Sequence, residues 1–157
     1  MLHLILAVVL LAPIHVEAIS CPGLVMPIDG EIVRPYAPIG RYAGHWGIDI
    51  AAAERSAVGA ADGGTVSFAG EVAGVKSVTV DHGGGLRTSY SYLSEIGVRR
   101  GQWVAERATV GYSGLDHELT ALHFSVRVGD VYQDPQRWLG CLSVPHPALS
   151  LVPVPVP

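Results

Sequence analysis

The sequence predicts an all-β fold, an antiparallel sheet folded over or rolled toward a barrel, and three observations carry that prediction. Short runs of alternating or continuous apolar residues recur along the chain, glycines stand between them, and no stretch keeps a helical period beyond about two turns. Of 157 residues, 49% are apolar, 15% are charged and 19 are Gly. Such a profile excludes disorder throughout, because chains that stay unfolded are poor in apolar residues and rich in charge. One domain is expected. The net charge of −4 leaves no basic patch to neutralise a phosphate backbone, which argues against nucleic acid as a partner.

Taken in order, residues 1–18 place the apolar run Leu4 to Ala12 ahead of the small residues Val16 and Ala18. The run is shorter than the ~20 residues a membrane span needs, so it reads as the core of a signal peptide cleaved after Ala18. A secreted or extracytoplasmic protein is thereby expected, with no transmembrane segment in the mature chain. The folded domain is placed at 19–141. Its ends carry the two cysteines, Cys21 and Cys141. In an oxidising compartment a disulfide between them would contribute ~4 kcal/mol by chain entropy. A second reading takes Ala18-Ile19-Ser20-Cys21 as a lipoprotein box with Cys21 acylated, which leaves Cys141 without a partner.

Strands are expected at Ile32-Val33, Gly47 to Ala51, Gly64 to Ala69, Val75 to Asp81, Leu86 to Leu93, Gln102 to Val104 and Ala121 to Val128. Gly63-Gly64, Gly70, Gly74, Gly83-Gly84-Gly85 and Gly129-Asp130 supply the turns. Residues 142–157 end in Pro153-Val154-Pro155-Val156-Pro157, which cannot feed a sheet ladder and reads as an extended tail.

Potential metal ligands sit in two of these runs. In Gly44-His45-Trp46-Gly47-Ile48-Asp49 an imidazole and a carboxylate lie four residues apart. A straight strand would separate them by ~13 Å, so both reach one ion only if the backbone bends, as Gly44 and Gly47 permit. In Leu122-His123-Phe124 the imidazole falls on the face opposite its apolar neighbours. Two His and one Asp are a donor set that catalytic zinc sites use, with the fourth position left to water.

Order and surroundings narrow the reading. From Met26 to Leu139 the chain resembles the M23 (LytM/lysostaphin-like) zinc metallopeptidases, bacterial enzymes that cut peptide cross-links in peptidoglycan. The resemblance rests on Met26-Pro27, His45-x-x-x-Asp49, Ala60-Ala61-Asp62-Gly63-Gly64-Thr65-Val66, Val80-Asp81-His82-Gly83-Gly84-Gly85-Leu86-Arg87-Thr88, Leu93-Ser94, Val98 to Val104, Val110-Gly111, Leu122-His123-Phe124 and Asp134-Pro135. It implies a LytM-type antiparallel β fold, the ligands His45, Asp49 and His123, a Zn2+ cofactor, and a cell-wall location. Two non-ligand histidines of the family are replaced: the first of its His-x-His motif by Ala121, and that of its Tyr-x-His-Leu motif by Tyr92. Where the family commonly has Glu, the chain has Ser125.

Alanine cannot accept a proton, and a phenol with an ordinary pKa near ~10 is a poor base, although Tyr92 keeps a donor for an oxyanion. A positioned general base supplies roughly 10²–10⁴-fold in rate, so zinc binding with impaired hydrolysis is expected. The alternative is a non-catalytic LytM-type domain that binds cell-wall peptide or regulates a partner hydrolase. Asp116, His117 and Glu118, in an expected loop, are candidates to replace the missing groups. His82 is assigned to a turn, and Trp46, Trp103 and Trp138 to core or groove wall.

Overall fold

Antiparallel strands account for nearly all regular structure in the computed structural model, which describes residues 23–41, 43–116 and 119–140. In chain order they are β1 (Ile32–Arg34), β2 (Ala37–Ile39), β3 (Ala43–His45), β4 (Ile48–Ala51), β5 (Ala57–Gly59), β6 (Gly64–Val72) and β7 (Val75–Gly83). There follow β8 (Leu86–Ser91), β9 (Leu93–Ile96), β10 (Trp103–Val104), β11 (Thr109–Ser113), β12 (Leu115–Asp116), β13 (Leu119–Val128) and β14 (Val131–Gln133). A 3₁₀ turn, Pro135–Arg137, is capped by the Asp134 carboxylate, which accepts from the Gln136 amide.

The main sheet has nine strands along the path β1-β4-β13-β8-β7-β6-β10, with β12 and β14 pairing the two ends of β13. A second sheet, β5-β11-β9, carries Val58, Val110 and Leu93 into the core, and β2 and β3 form a separate hairpin. The core lies on one face of the main sheet, where Ile48 and Ile50, Leu122 and Phe124, Tyr90, and Val78 and Val80 are fully buried. A sheet residue shows its neighbours to the opposite face, so Asp49, His123, Ser91 and Ser77 point away from that core. Pairing registers set Arg34, Asp49, His123, Ser91 and Ser77 in one row across five strands.

The all-β expectation holds, with differences in detail. The run Leu86 to Leu93 is two strands rather than one, broken at Tyr92, whose φ of 61° lies in the left-handed region. β2, β3, β5, β11, β12 and β14 were not expected; all but the five-residue β11 are two- or three-residue ladders, too short for apolar alternation to register. Asp116 belongs to β12 and pairs with Leu119, so it is not in a loop; His117 and Glu118 lie outside the described residues. Trp138 packs on the core as expected, whereas Trp103, on β10 at the end of the strand order among the described residues, is 67% exposed.

Residues 1–18, the tail 142–157 and both cysteines lie outside the described residues. Just inside them the chain ends meet: Leu24 donates to the Trp138 carbonyl at 2.7 Å, and Gly140 donates to that of Leu24 at 2.9 Å. Among the described residues no helix is long and apolar enough to cross a membrane.

Candidate metal centre

Three strands bring the expected donors together. His45 ends β3, Asp49 lies in β4, and β13 delivers His123 directly opposite Asp49. The bend between β3 and β4 depends on two glycines, for different reasons. Gly44 has φ +85°, and a Cβ there would stand 2.3 Å from the Ala37 carbonyl oxygen. At Gly47 a Cβ would stand 2.5 Å from the Phe124 carbonyl oxygen and 2.7 Å from His123 Nε2, so glycine is what lets the imidazole lie against this turn.

His45 Nε2, Asp49 Oδ1 and His123 Nδ1 form a triangle with sides of 2.9, 2.7 and 3.1 Å. The other nitrogen of His45, Nδ1, is 2.8 Å from the Pro35 carbonyl oxygen and donates to it. That bond sets the tautomer and leaves neutral His45 with a bare lone pair at Nε2, aimed at an unprotonated carboxylate oxygen. Two acceptors at this separation repel unless something positive lies between them. Asp49 is fully buried while the two His side chains are 13% and 20% exposed, so the triangle has a dry base and an open side.

Burial alone would raise the Asp49 carboxyl, but with protons on the imidazoles in place of a metal the hydrogen bond and charge of His123, joined by those of His45, outweigh it and hold the group below the usual carboxylate range. Its second oxygen, Oδ2, is buried and receives no hydrogen bond; Arg34 Nη1 stands 3.1 Å away as an ion-pair partner. The residues fit zinc on the chemistry of the set: one carboxylate and two imidazoles converge, with lone pairs inward and one imidazole already anchored from behind.

The triangle opens into a cleft of about 400 Å³ lined also by Arg34, Trp46, Ser91, Tyr92 and Asp116. The ring of Tyr92 meets that of His123 edge-on at 6.4 Å. Burial, then the negative charge of Asp116 and of Asp49, push the Tyr92 phenol up, so it stays neutral and a donor at ordinary pH. Its hydroxyl is directed to Asp116, whose carboxylate is 1% exposed. Ala121 shares the site face of β13 with His123 and is fully buried. Trp46 forms the wall between Tyr36 and Tyr132, with ring centroids 6.3 and 5.7 Å away.

His82, expected in a turn, instead ends β7 as a clip: Nδ1 is 2.9 Å from the Gly63 carbonyl oxygen and Nε2 is 2.8 Å from Thr88 Oγ1. It takes no part in the metal centre. Arg34 and Ser91 had no signal in the sequence, since Arg34 belongs to no motif, Ser91 fills only the variable position of the Tyr-x-His-Leu motif, and strand register brings both to the cleft.

Comparison with known proteins matches residues 43–135, more than half of the chain, to the model of peptidase family M23. A protein of Mycobacterium tuberculosis (strain ATCC 25618 / H37Rv), itself uncharacterised, is 42% identical over 74 residues, 47% of this chain and 29% of that protein. The chain spans less than a third of the length of the curated relatives it matches. Among solved structures, a peptidase M23 from Pseudomonas aeruginosa described as putative is 30% identical, with a TM-score of 0.64, over 77% of this chain and 52% of that one. A zinc-containing peptidase from Vibrio cholerae is 26% identical, with a TM-score of 0.62, over 73% and 38%.

Proposed function

The chain belongs to peptidase family M23, and from that premise we propose that it is a secreted, cell-wall-associated protein that binds Zn2+ through His45, Asp49 and His123 and engages peptidoglycan peptides with impaired hydrolysis. The observation that carries the reading is the triangle of donor atoms no more than 3.1 Å apart, facing an open cleft. Bound zinc supplies a Lewis acid and an activated water. The chain's own residues orient the ligands: the Pro35 carbonyl holds His45, and Gly47 admits His123.

What the residues do not supply is a proton acceptor where the family has its two histidines. Ala121 has no acceptor, and Tyr92 is a neutral phenol already directed at Asp116. Tyr92 is the group placed to donate to an oxyanion, but the bond to Asp116 competes with that task. This engagement favours a second reading, a LytM-type domain that binds wall peptide or regulates a partner hydrolase without cutting.

Metal analysis of the purified mature protein tests the ligand claim, with one zinc per chain expected and none overturning it. Incubation with peptidoglycan tests the rest. The Ala121→His/Tyr92→His double variant is expected to release peptide about 10²–10⁴ times faster than the parent. Equal rates would show that the parent has its own base. The disulfide between Cys21 and Cys141 belongs to the same proposal and is supported by the meeting of Leu24 with Trp138 and Gly140. A mass shift on reduction and alkylation checks it, and a lipid adduct on Cys21 overturns it.

A further inference from the structure

Strand β1 breaks its own alternation beside the metal centre. Ile32 pairs with Ile50 in β4, both on the core side, yet Arg34, two residues on, pairs with Asp49 rather than Ile48. Regular pairing would set Arg34 opposite Ile48 on the core face; the extra residue of a β-bulge turns it to the site face. There its Nη1 stands 3.1 Å from Asp49 Oδ2, while Oδ1 alone faces His45 and His123. Oδ2 is buried and accepts no hydrogen bond, so the guanidinium is the group that neutralises it. The rest of the Arg34 side chain, 43% exposed, lines the cleft.

We propose that Arg34 is a positioning residue that keeps Asp49 a one-oxygen ligand, and so preserves the open position that water needs on the metal. A carboxylate can bind a metal through one oxygen or two, and a second carboxylate oxygen would compete for that open position. With Oδ2 held by a fixed positive charge, rotation that would bring both oxygens to the ion breaks an ion pair in a buried setting. The bulge is the structural means: it costs β1 a regular ladder and yields the one arrangement in which a cation lies behind the ligand. The inference rests on the zinc reading above.

The test uses the mature protein, its Arg34→Gln and Arg34→Lys variants, and Arg55→Gln as a control, since Arg55 pairs with Glu95 on an exposed surface. Zinc affinity is measured by chelator competition and ligand geometry by the visible spectrum of the Co2+-loaded protein. Arg34→Gln is expected to weaken zinc about 10- to 100-fold and to lower the Co2+ absorption as the coordination number rises. Arg34→Lys, which keeps the charge and is the working variant if Arg34→Gln does not fold, is expected to fall between, with Arg55→Gln unchanged. Parental affinity and an unchanged Co2+ spectrum in the Arg34 variants overturn the role of Arg34 alone. A parent that binds neither metal overturns the zinc reading, and this inference with it.

Discussion

The two faces of β13 obey opposite rules. On one, Leu122, Phe124 and Val126 are fully buried among apolar neighbours, and Phe124 packs on Tyr90 with ring centroids 5.5 Å apart. On the other, Ala121, His123 and Ser125 meet a row of carboxylate, imidazole and hydroxyl groups. The first face stabilises the fold whatever the protein does. The second gathers acceptors that favour one another only when a cation or protons stand between them. A single strand thus separates what holds the molecule together from the candidate site, because a period of two sends adjacent residues to opposite sides.

The comparison breaks most visibly at Phe124. Phe124→Ala is expected to cost about 3–5 kcal/mol in denaturant unfolding, since it empties a fully buried ring site. Asp49, across the ladder from His123 on the other face, gives the reverse pattern. Asp49→Asn is expected to lose more zinc affinity than the roughly 10- to 100-fold that a supporting residue costs. Unfolding of the metal-free variant is expected to change by only about 1 kcal/mol, because the new amide can donate to His45 Nε2. A stability loss equal to that of Phe124→Ala would erase the distinction between the faces.

Tyr90 sharpens it further, as a polar group on the core face. Its hydroxyl accepts from the Ala61 amide at 2.7 Å and lies 2.8 Å from Thr88 Oγ1, which in turn reaches His82. Tyr90→Phe leaves those buried partners short of a bond and is expected to cost about 1–3 kcal/mol. Burial pushes the Tyr90 phenol up to about 12 from 10.0, despite the bonds from Thr88 and Ala61. A raised folded-state pKa gives stability that is complete below pH 10 and is lost as pH climbs from 10 to about 12. Alkaline titration of unfolding is therefore expected to fall across that window in the parent and less steeply in Tyr90→Phe. The smallest effect is set at Arg55→Gln, within about 0.5 kcal/mol, because its pair with Glu95 is solvent-exposed.

How much of the site was legible depends on how far apart its parts lie. His45, Asp49 and His123 were readable because their residue types and motif order carry the chemistry, and Gly44 because a bend was required. Gly47 was expected for the bend too, yet its closest constraint is the approach of His123, 76 positions away in sequence. The Tyr92–Asp116 contact needed the break between β8 and β9 and the pairing of β12 with β13, neither of which leaves a periodic trace. Arg34 lay one position past the expected strand Ile32-Val33 and drew no reading, since a bulge has no sequence period to announce it.

The sequence by itself determined the all-β class and marked the three candidate donors, with Ala121 and Tyr92 where the resemblance expects histidines, because residue identity and local alternation are properties of a few neighbouring positions. Only the tertiary structure decided which imidazole nitrogens face the site, which oxygen of Asp49 does, and that Arg34 stands behind the other oxygen. Those outcomes hang on strand register, and a one-residue shift in register moves every side chain to the opposite face.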